Sequence, residues 1–251
     1  VSLRSRVVGG DPLLGLILKV PAHSAVELAG HLGFDFVLLD TEHASAETVE
    51  VEQHIRAGDA AGIPVLVRVA GSDPSSALHA LDAGAAGIVF PHVSNAEDAE
   101  AAVRAAHYPP RGIRSLAVST RAGRHGTLTL DEHLARSARE TVVVVQAEDR
   151  HSVQNCAAIA ATEGVDAVWI GPTDLSLSLG IPGDFEHADY RSAVDRITEA
   201  VKSAPQCSLC ALVHRPDQIE EWRSRGAGIL LFNYNTVVVD GLRNIVDLAR
   251  E

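Results

Sequence analysis

The segment "DTEH", residues 40 to 43, sets two carboxylates, Asp40 and Glu42, and an imidazole, His43, directly behind the apolar run "FVLL". Other polar groups follow short apolar runs in the same way: Arg68 inside "VLVRV", His92 after "GIVFP", Gln146 and Glu148 behind "VVVV", Asp174 in "GPTD", His214 behind "CALV", and Asn233 and Asn235 in "FNYN". Glu148 and Asp174 are hard oxygen donors that suit Mg²⁺ or Mn²⁺ with positions left open for water and substrate. The plainer reading makes them caps of the helices that follow, because Asp is a good N-cap. A guanidinium inside an apolar strand must be paired. Arg68 therefore either meets a core carboxylate such as Asp40 or Asp82, or points its fork at an anionic ligand. An imidazole with a carboxylate three residues upstream can be oriented as a general base, so His43 is a candidate base, or else a residue that merely starts a helix.

The elements that must position these groups are legible from periodicity. Eight apolar runs, at 13–20, 36–40, 65–69, 87–90, 142–146, 167–170, 209–213 and 229–232, alternate with Ala-rich stretches whose apolar residues recur every three or four positions. Several of those stretches end in Gly just before the next run, as helices do. Eight strand–helix units in 251 residues predict a single-domain (β/α)8 barrel of the α/β class. An open doubly wound sheet would carry glycines after its first strand, and "KVPAHS" has none. Hydrophobic residues make up 46% of the chain and aromatic ones only 4%, so the core must be built from Val, Leu, Ile and Ala. Chemistry in such barrels sits at the C-terminal ends of the strands, where the polar groups named above fall.

With 33 acidic against 21 basic side chains, the net charge of -12 would repel a nucleic-acid backbone. No apolar run approaches the roughly 18 residues that span a bilayer. The N-terminal stretch lacks the continuous apolar segment of a signal peptide, so a cytoplasmic protein is expected. Cys156, Cys207 and Cys210 are too few to staple a domain of this size, and "CSLC" leads into an apolar run, which makes buried thiols the expectation. The stretch from His107 to Arg139 is far longer than an ordinary loop and predicts a functional cover, from which Arg114, Arg121 and Arg124 could reach an anionic substrate or simply serve as surface charge.

The motifs "GFDFVLLDTEHA", "VLVRV", "LDAGAAGIVFPHV", "YPPRGIRS", "VVQAED" and "EGVDAVWIGPTDLSLSLG", in that order, resemble the HpcH/HpaI family of metal-dependent pyruvate aldolases. The resemblance implies a carbon–carbon lyase that cleaves or forms 2-oxo-4-hydroxy acids through a pyruvate enolate stabilised by a divalent cation, Mg²⁺ or Mn²⁺ with Co²⁺ as a further candidate. By the same likeness Glu148 and Asp174 would be the metal ligands, His43 the base with Asp40 orienting it, and Asp82 a supporting acid. Arg68 would hold the carboxylate or enolate oxygen, and Gln146, Gly171, Pro172 and Thr173 would line the substrate pocket, with His92 and Arg121 as further substrate contacts. The implied partners are a small 2-oxo acid (pyruvate, oxaloacetate or a hydroxy-oxo acid), an aldehyde or other acceptor, and further copies of the chain, forming a hexamer that uses a C-terminal helix at about 236–251. No Schiff-base lysine is needed, and Lys19 and Lys202 are the only lysines. His92 in "FPHV", Ser115 in "GIRS", and the strand 7 and 8 ends "CALVH" and "FNYNT" depart from the aldolase pattern. His92 and Ser115 are closer to the macrophomate-synthase-like branch, which implies an oxaloacetate decarboxylase or a carbon–carbon bond-forming synthase as the alternative. A barrel without activity is a third reading, against which the full polar set at the strand ends argues.

Overall fold

A computed structural model describes residues 1–45 and 47–250. Eight strands, β1 (Leu13–Leu18), β2 (Phe36–Asp40), β3 (Val65–Arg68), β4 (Gly87–Phe90), β5 (Val142–Ala147), β6 (Ala167–Ile170), β7 (Ser208–Val213) and β8 (Ala227–Asn233), pair in parallel and in sequence order, and β8 closes on β1. The helices are α1 (Leu3–Gly9), α2 (His23–Leu32), α3 (Thr48–Ala61), α4 (Pro74–Asp82), α5 (Ala96–Ala106), α6 (Leu130–Glu140), α7 (Arg150–Ala161), α8 (Pro172–Ser178), α9 (Ala188–Lys202), α10 (Ile219–Ser224) and α11 (Tyr234–Leu248). The (β/α)8 barrel predicted from the alternating runs is the fold observed.

Alternation along each strand divides the apolar residues between two cores. In β5, Val142 and Val144 point into the barrel with Leu13, Ile17, Phe36, Leu38, Leu66 and Trp169, while Val143 and Val145 face the helices. Short α1 adds Leu3 and Val7 to the inner core and so plugs the N-terminal end. Arg4 on this plug donates to Asp166 at 3.0 Å, and Asp166 in turn accepts the Val143 N–H at 2.9 Å. The plugged end leaves the opposite rim as the open mouth. Cys207 and Cys210 are unpaired thiols, and burial pushes Cys207 up to about 12, which keeps it protonated and unreactive.

The long segment 107–139 lies elsewhere than the mouth. Ala122 N–H donates to the Asp82 carbonyl at 3.0 Å and Arg121 to the Ala83 carbonyl at 3.1 Å, which fixes the segment beneath the start of β4, at the N-terminal end of the barrel. It also includes most of a helix, α6, held at its start by a capping box between Thr129 and Glu132. The C-terminal helix begins at Tyr234, two residues before the expected start, because the Asn233 side chain accepts the Asn235 N–H at 3.0 Å and caps it.

Gly87 opens β4 so close to β5 that a Cβ would stand 2.3 Å from the Val142 carbonyl oxygen, a backbone atom with nowhere to go. Gly241, within α11, has nothing within 4 Å. Gly87→Ala is expected to lower unfolding free energy by about 1–3 kcal/mol. Gly241→Ala should instead raise it by roughly 0.5–1 kcal/mol through helix propensity. Urea melts of both variants measure the contrast.

Candidate active site

Asp40 and Arg68 are register partners at the ends of β2 and β3, and both are buried. Arg68 donates Nε to Asp40 Oδ1 at 3.1 Å and Nη2 to Oδ2 at 2.5 Å, a two-pronged pair. Asp40 Oδ1 also accepts the backbone N–H groups of Glu42 at 3.0 Å and His43 at 3.2 Å. Burial alone would raise the Asp40 pKa, but the hydrogen bonds and charge of Arg68 outweigh it and hold the carboxylate below its ordinary value. Of the two partners considered for Arg68, Asp40 is the one it meets.

From Arg68 the contacts run round the mouth. Its Nη1 donates to Gln146 Oε1 at 3.1 Å and lies 3.3 Å from Glu42 Oε2, and its guanidinium sits 5.1 Å over the Trp169 ring. Gln146 Nε2 donates to Glu148 Oε2. Glu148 Oε1 accepts the His92 backbone N–H at 2.7 Å and faces His92 Nδ1 at 2.9 Å, while His92 Nε2 lies 2.8 Å from Glu42 Oε1. Glu42 thereby closes a ring back to Arg68. Gly171 lies against this ring: a Cβ there would fall 2.4 Å from Glu148 Oε2 and 2.5 Å from Gln146 Nε2. Glycine at 171 lets the backbone approach the two side chains.

Asp174 is half-buried in the first turn of α8, behind Pro172 and the exposed Thr173. Burial pushes Glu148 up to about 7, and the charges of Asp174 and Glu42 push the same way against the opposing His92. A buried carboxyl whose ionisation is opposed by burial and by two neighbouring carboxylates is matched by a divalent cation, and hard oxygen donors are its preferred ligands. The donor set therefore fits such an ion at Glu148 and Asp174. A separate group, His23, Glu50 and His54, brings its ligand atoms within 4.8 Å of one another between α2 and α3. His54 is committed there: Nδ1 meets the Glu50 carbonyl at 2.7 Å and Nε2 accepts the Ala22 N–H at 3.0 Å.

Asp82 and Arg121 stand apart from this arrangement within one chain, and His43 meets it through Glu42 and the Asp40 carboxylate. His43 is exposed, with Nε2 3.7 Å from Glu42 Oε2, so Asp40 holds its backbone and Glu42 lies beside its ring. Asp82, at the C-terminal end of α4, pairs with Arg114 at 2.7 Å, and Arg114 stacks 4.4 Å over Tyr108. Arg121 pairs with Asp59. Both pairs lie at the plugged end, away from Glu148. Glu42 was missed as a site residue, although it sits within "DTEH" and its side chain joins Arg68, His92 and His43.

A parallel barrel whose open rim gathers carboxylates, a histidine and an arginine at the ends of its strands has the form of a (β/α)8 enzyme. Residues 14–239 match the HpcH/HpaI aldolase/citrate lyase family, and the chain belongs to it. It is 35% identical to the hydroxypyruvate/pyruvate aldolase of Paraburkholderia phytofirmans over 90% of this chain and 87% of that one. Among solved structures it is similar to an HpcH/HpaI aldolase/citrate lyase family protein of Burkholderia cenocepacia, with TM-score 0.93, 32% identity and 99% of each chain covered. Macrophomate synthase shares the fold, with TM-score 0.84 at 24% identity over 99% of this chain and 90% of that one. The chain is thus a carbon–carbon lyase of the aldolase type.

Glu148 makes the stability of the cation-free protein fall as pH rises. A carboxyl with a folded-state pKa near 7 and an unfolded value near 4.5 binds more protons when folded, so its contribution is full below pH 4.5 and lost through about pH 7. Between those limits, Glu148→Gln is expected to flatten the decline in unfolding free energy by roughly 1–3 kcal/mol, read from urea melts in chelator.

Proposed function

We propose that the chain cleaves and forms 2-oxo-4-hydroxy acids through the enolate of pyruvate, with a divalent cation, Mg²⁺ or Mn²⁺ and with Co²⁺ also suitable, held by Glu148 and Asp174. The observation that carries this reading is the convergence of Glu148, Asp174 and Glu42 beside a buried arginine at the open rim. The cation supplies a Lewis acid for the keto oxygen and carboxylate of the substrate. Arg68, already fixed by Asp40 and Gln146, has one remaining Nη2 N–H to offer the oxygen that becomes negative. Gln146 and the backbone at Gly171 and Pro172 bound the pocket for the three-carbon unit, with Thr173 at its edge.

His43 is the base. Asp40 fixes its backbone and Glu42 lies beside its ring, so the imidazole can take the proton of the 4-hydroxyl. As that proton leaves, C4–O becomes the aldehyde carbonyl, the C3–C4 bond breaks, and its electron pair passes to C3 as the enolate. The proton taken up by His43 is then delivered to C3, which gives the methyl group of pyruvate and restores the neutral imidazole. Asp82 and Arg121 have no part in this scheme from within the same chain.

The exposed apolar side chains of α11, Val237, Leu242, Ile245 and Leu248, support assembly with further copies, and a hexamer acting in the cytoplasm is the proposed state. The double variant Leu242→Asp, Ile245→Asp is expected to shift the mass in light scattering to smaller species. An unchanged mass would remove α11 from the interface.

In D₂O with Mg²⁺ or Mn²⁺, the methyl signal of pyruvate should exchange, and chelator should stop it. Glu148→Gln is expected to weaken cation affinity by about tenfold or more, seen by titration calorimetry. His43→Ala should slow aldol cleavage roughly 10²-fold or more while cation binding is retained. No exchange with any cation would overturn the reading.

A further inference from the structure

A groove of about 200 Å³ leads off the mouth, over the ends of β6 and β7, to the gap between α9 and α10. Its inner wall is Pro172, next to Gly171, and Leu212, which packs against the inner barrel core. Its outer wall is built from rings: Phe185 lies 5.3 Å from Tyr190 and stacks on His214 at 5.4 Å and 15°, and Trp222 of α10 faces them across the groove.

The charges on its rim are already matched. Arg191 pairs with Glu186, and Arg225 pairs with Asp195 at 2.5 Å and Glu221 at 3.4 Å. Among the described residues, no arginine on this rim is without a carboxylate partner. Tyr190 lines the groove and is only 6% exposed, and among the described residues its hydroxyl meets no protein group, yet it is not fully enclosed. A phenol hydroxyl that no protein group engages, on the wall of a groove, is a donor open to a polar group on a guest. Burial pushes the Tyr190 pKa up, so the hydroxyl remains protonated and can donate. The volume suits one ring, since a cavity of about 150 Å³ accommodates benzene.

We propose that this groove is the acceptor subsite, and that the aldehyde it serves carries a planar aromatic ring with a hydroxyl at its far end. The ring lies among Phe185, Tyr190, His214 and Trp222, and the hydroxyl meets Tyr190. The aldehyde carbon then points back past Pro172 to the mouth. This inference rests on the reading of the mouth as a pyruvate-enolate site, and it adds the class of acceptor: a neutral hydroxyaryl aldehyde in place of a small hydroxylated or acidic one.

The test compares aldol addition of pyruvate to 4-hydroxybenzaldehyde, benzaldehyde and glycolaldehyde, with deuterium exchange into pyruvate followed on the same preparations. For the wild type, kcat/KM for 4-hydroxybenzaldehyde should exceed that for glycolaldehyde. Val194→Phe, which fills the groove from α9, should lower that ratio by about tenfold or more. Tyr190→Phe removes one oxygen atom and is the variant that decides should Val194→Phe fail to fold. It should lower the preference for 4-hydroxybenzaldehyde over benzaldehyde, by about tenfold. Ratios unmoved by either folded variant, in a protein that exchanges pyruvate, would overturn the groove and leave the enolate reading standing. Absence of exchange would overturn the enolate reading instead. The groove is then judged by saturation-transfer NMR with 4-hydroxybenzaldehyde, where a signal weakened by Tyr190→Phe supports it and no signal in the wild type overturns it.

Discussion

The pair between Asp40 and Arg68 is the constraint on which the mouth is built. Two charges taken out of water at the end of a barrel are stable only while each satisfies the other, and removing one partner costs about 3–5 kcal/mol because the survivor is left buried and unpaired. Their register across β2 and β3 sets the guanidinium so that its second nitrogen reaches Gln146 on β5, across the barrel from Asp40. Gln146 then has only its amide nitrogen left, which turns to Glu148. A single ion pair thus orients side chains from several different strands. The same carboxylate, by accepting the N–H groups of residues 42 and 43, shapes the turn that carries Glu42 and His43.

Beyond this pair the mouth carries excess negative charge. Arg68 and Lys19 both face Asp40, Arg68 also reaches Glu42, and His92 lies between Glu42 and Glu148, so four carboxylates, Asp40, Glu42, Glu148 and Asp174, outnumber the cations near them. The excess is local and does not follow from the chain's overall acidity, since exposed acids elsewhere are solvated. It persists because Glu148 is buried, where the charges of its neighbours are poorly screened. A rim with this excess of negative charge attracts cations, which is the electrostatic basis of the divalent-ion site proposed at Glu148 and Asp174.

Much of this was legible in the sequence, and the limits have physical causes. Strands were readable because each is an apolar run bounded by turn residues, and the rim residues followed because a parallel barrel places every strand end on one face. The location of 107–139 required one further step. Each helix returns the chain to the N-terminal end, so a segment between α5 and β5 must lie at that end. Its length suggested function, but chain direction decides its place. Asp82, at the close of α4, obeys the same rule. Side-chain partners were less accessible: spacing places Asp40 and His43 three residues apart, yet Arg68, distant in sequence, claims the carboxylate. Glu42 was overlooked because its partners, Arg68 and His92, come from other strands.

His92 shows how local backbone strain serves this balance. Its φ of 58° is left-handed, a conformation that costs an ordinary residue about 1–2 kcal/mol. Arg124 and His125 share that conformation in a turn at the other end of the barrel, where hydrogen bonds between the turn's own backbone groups support it. At residue 92 the twist brings the N–H and the ring of one residue to the same oxygen of Glu148, with the far ring nitrogen on Glu42. An extended backbone could direct one of those groups there but not both. The strain is therefore retained by the two carboxylates that the residue bridges. The ring and the backbone N–H thus act on Glu148 together, which leaves the far ring nitrogen to face Glu42.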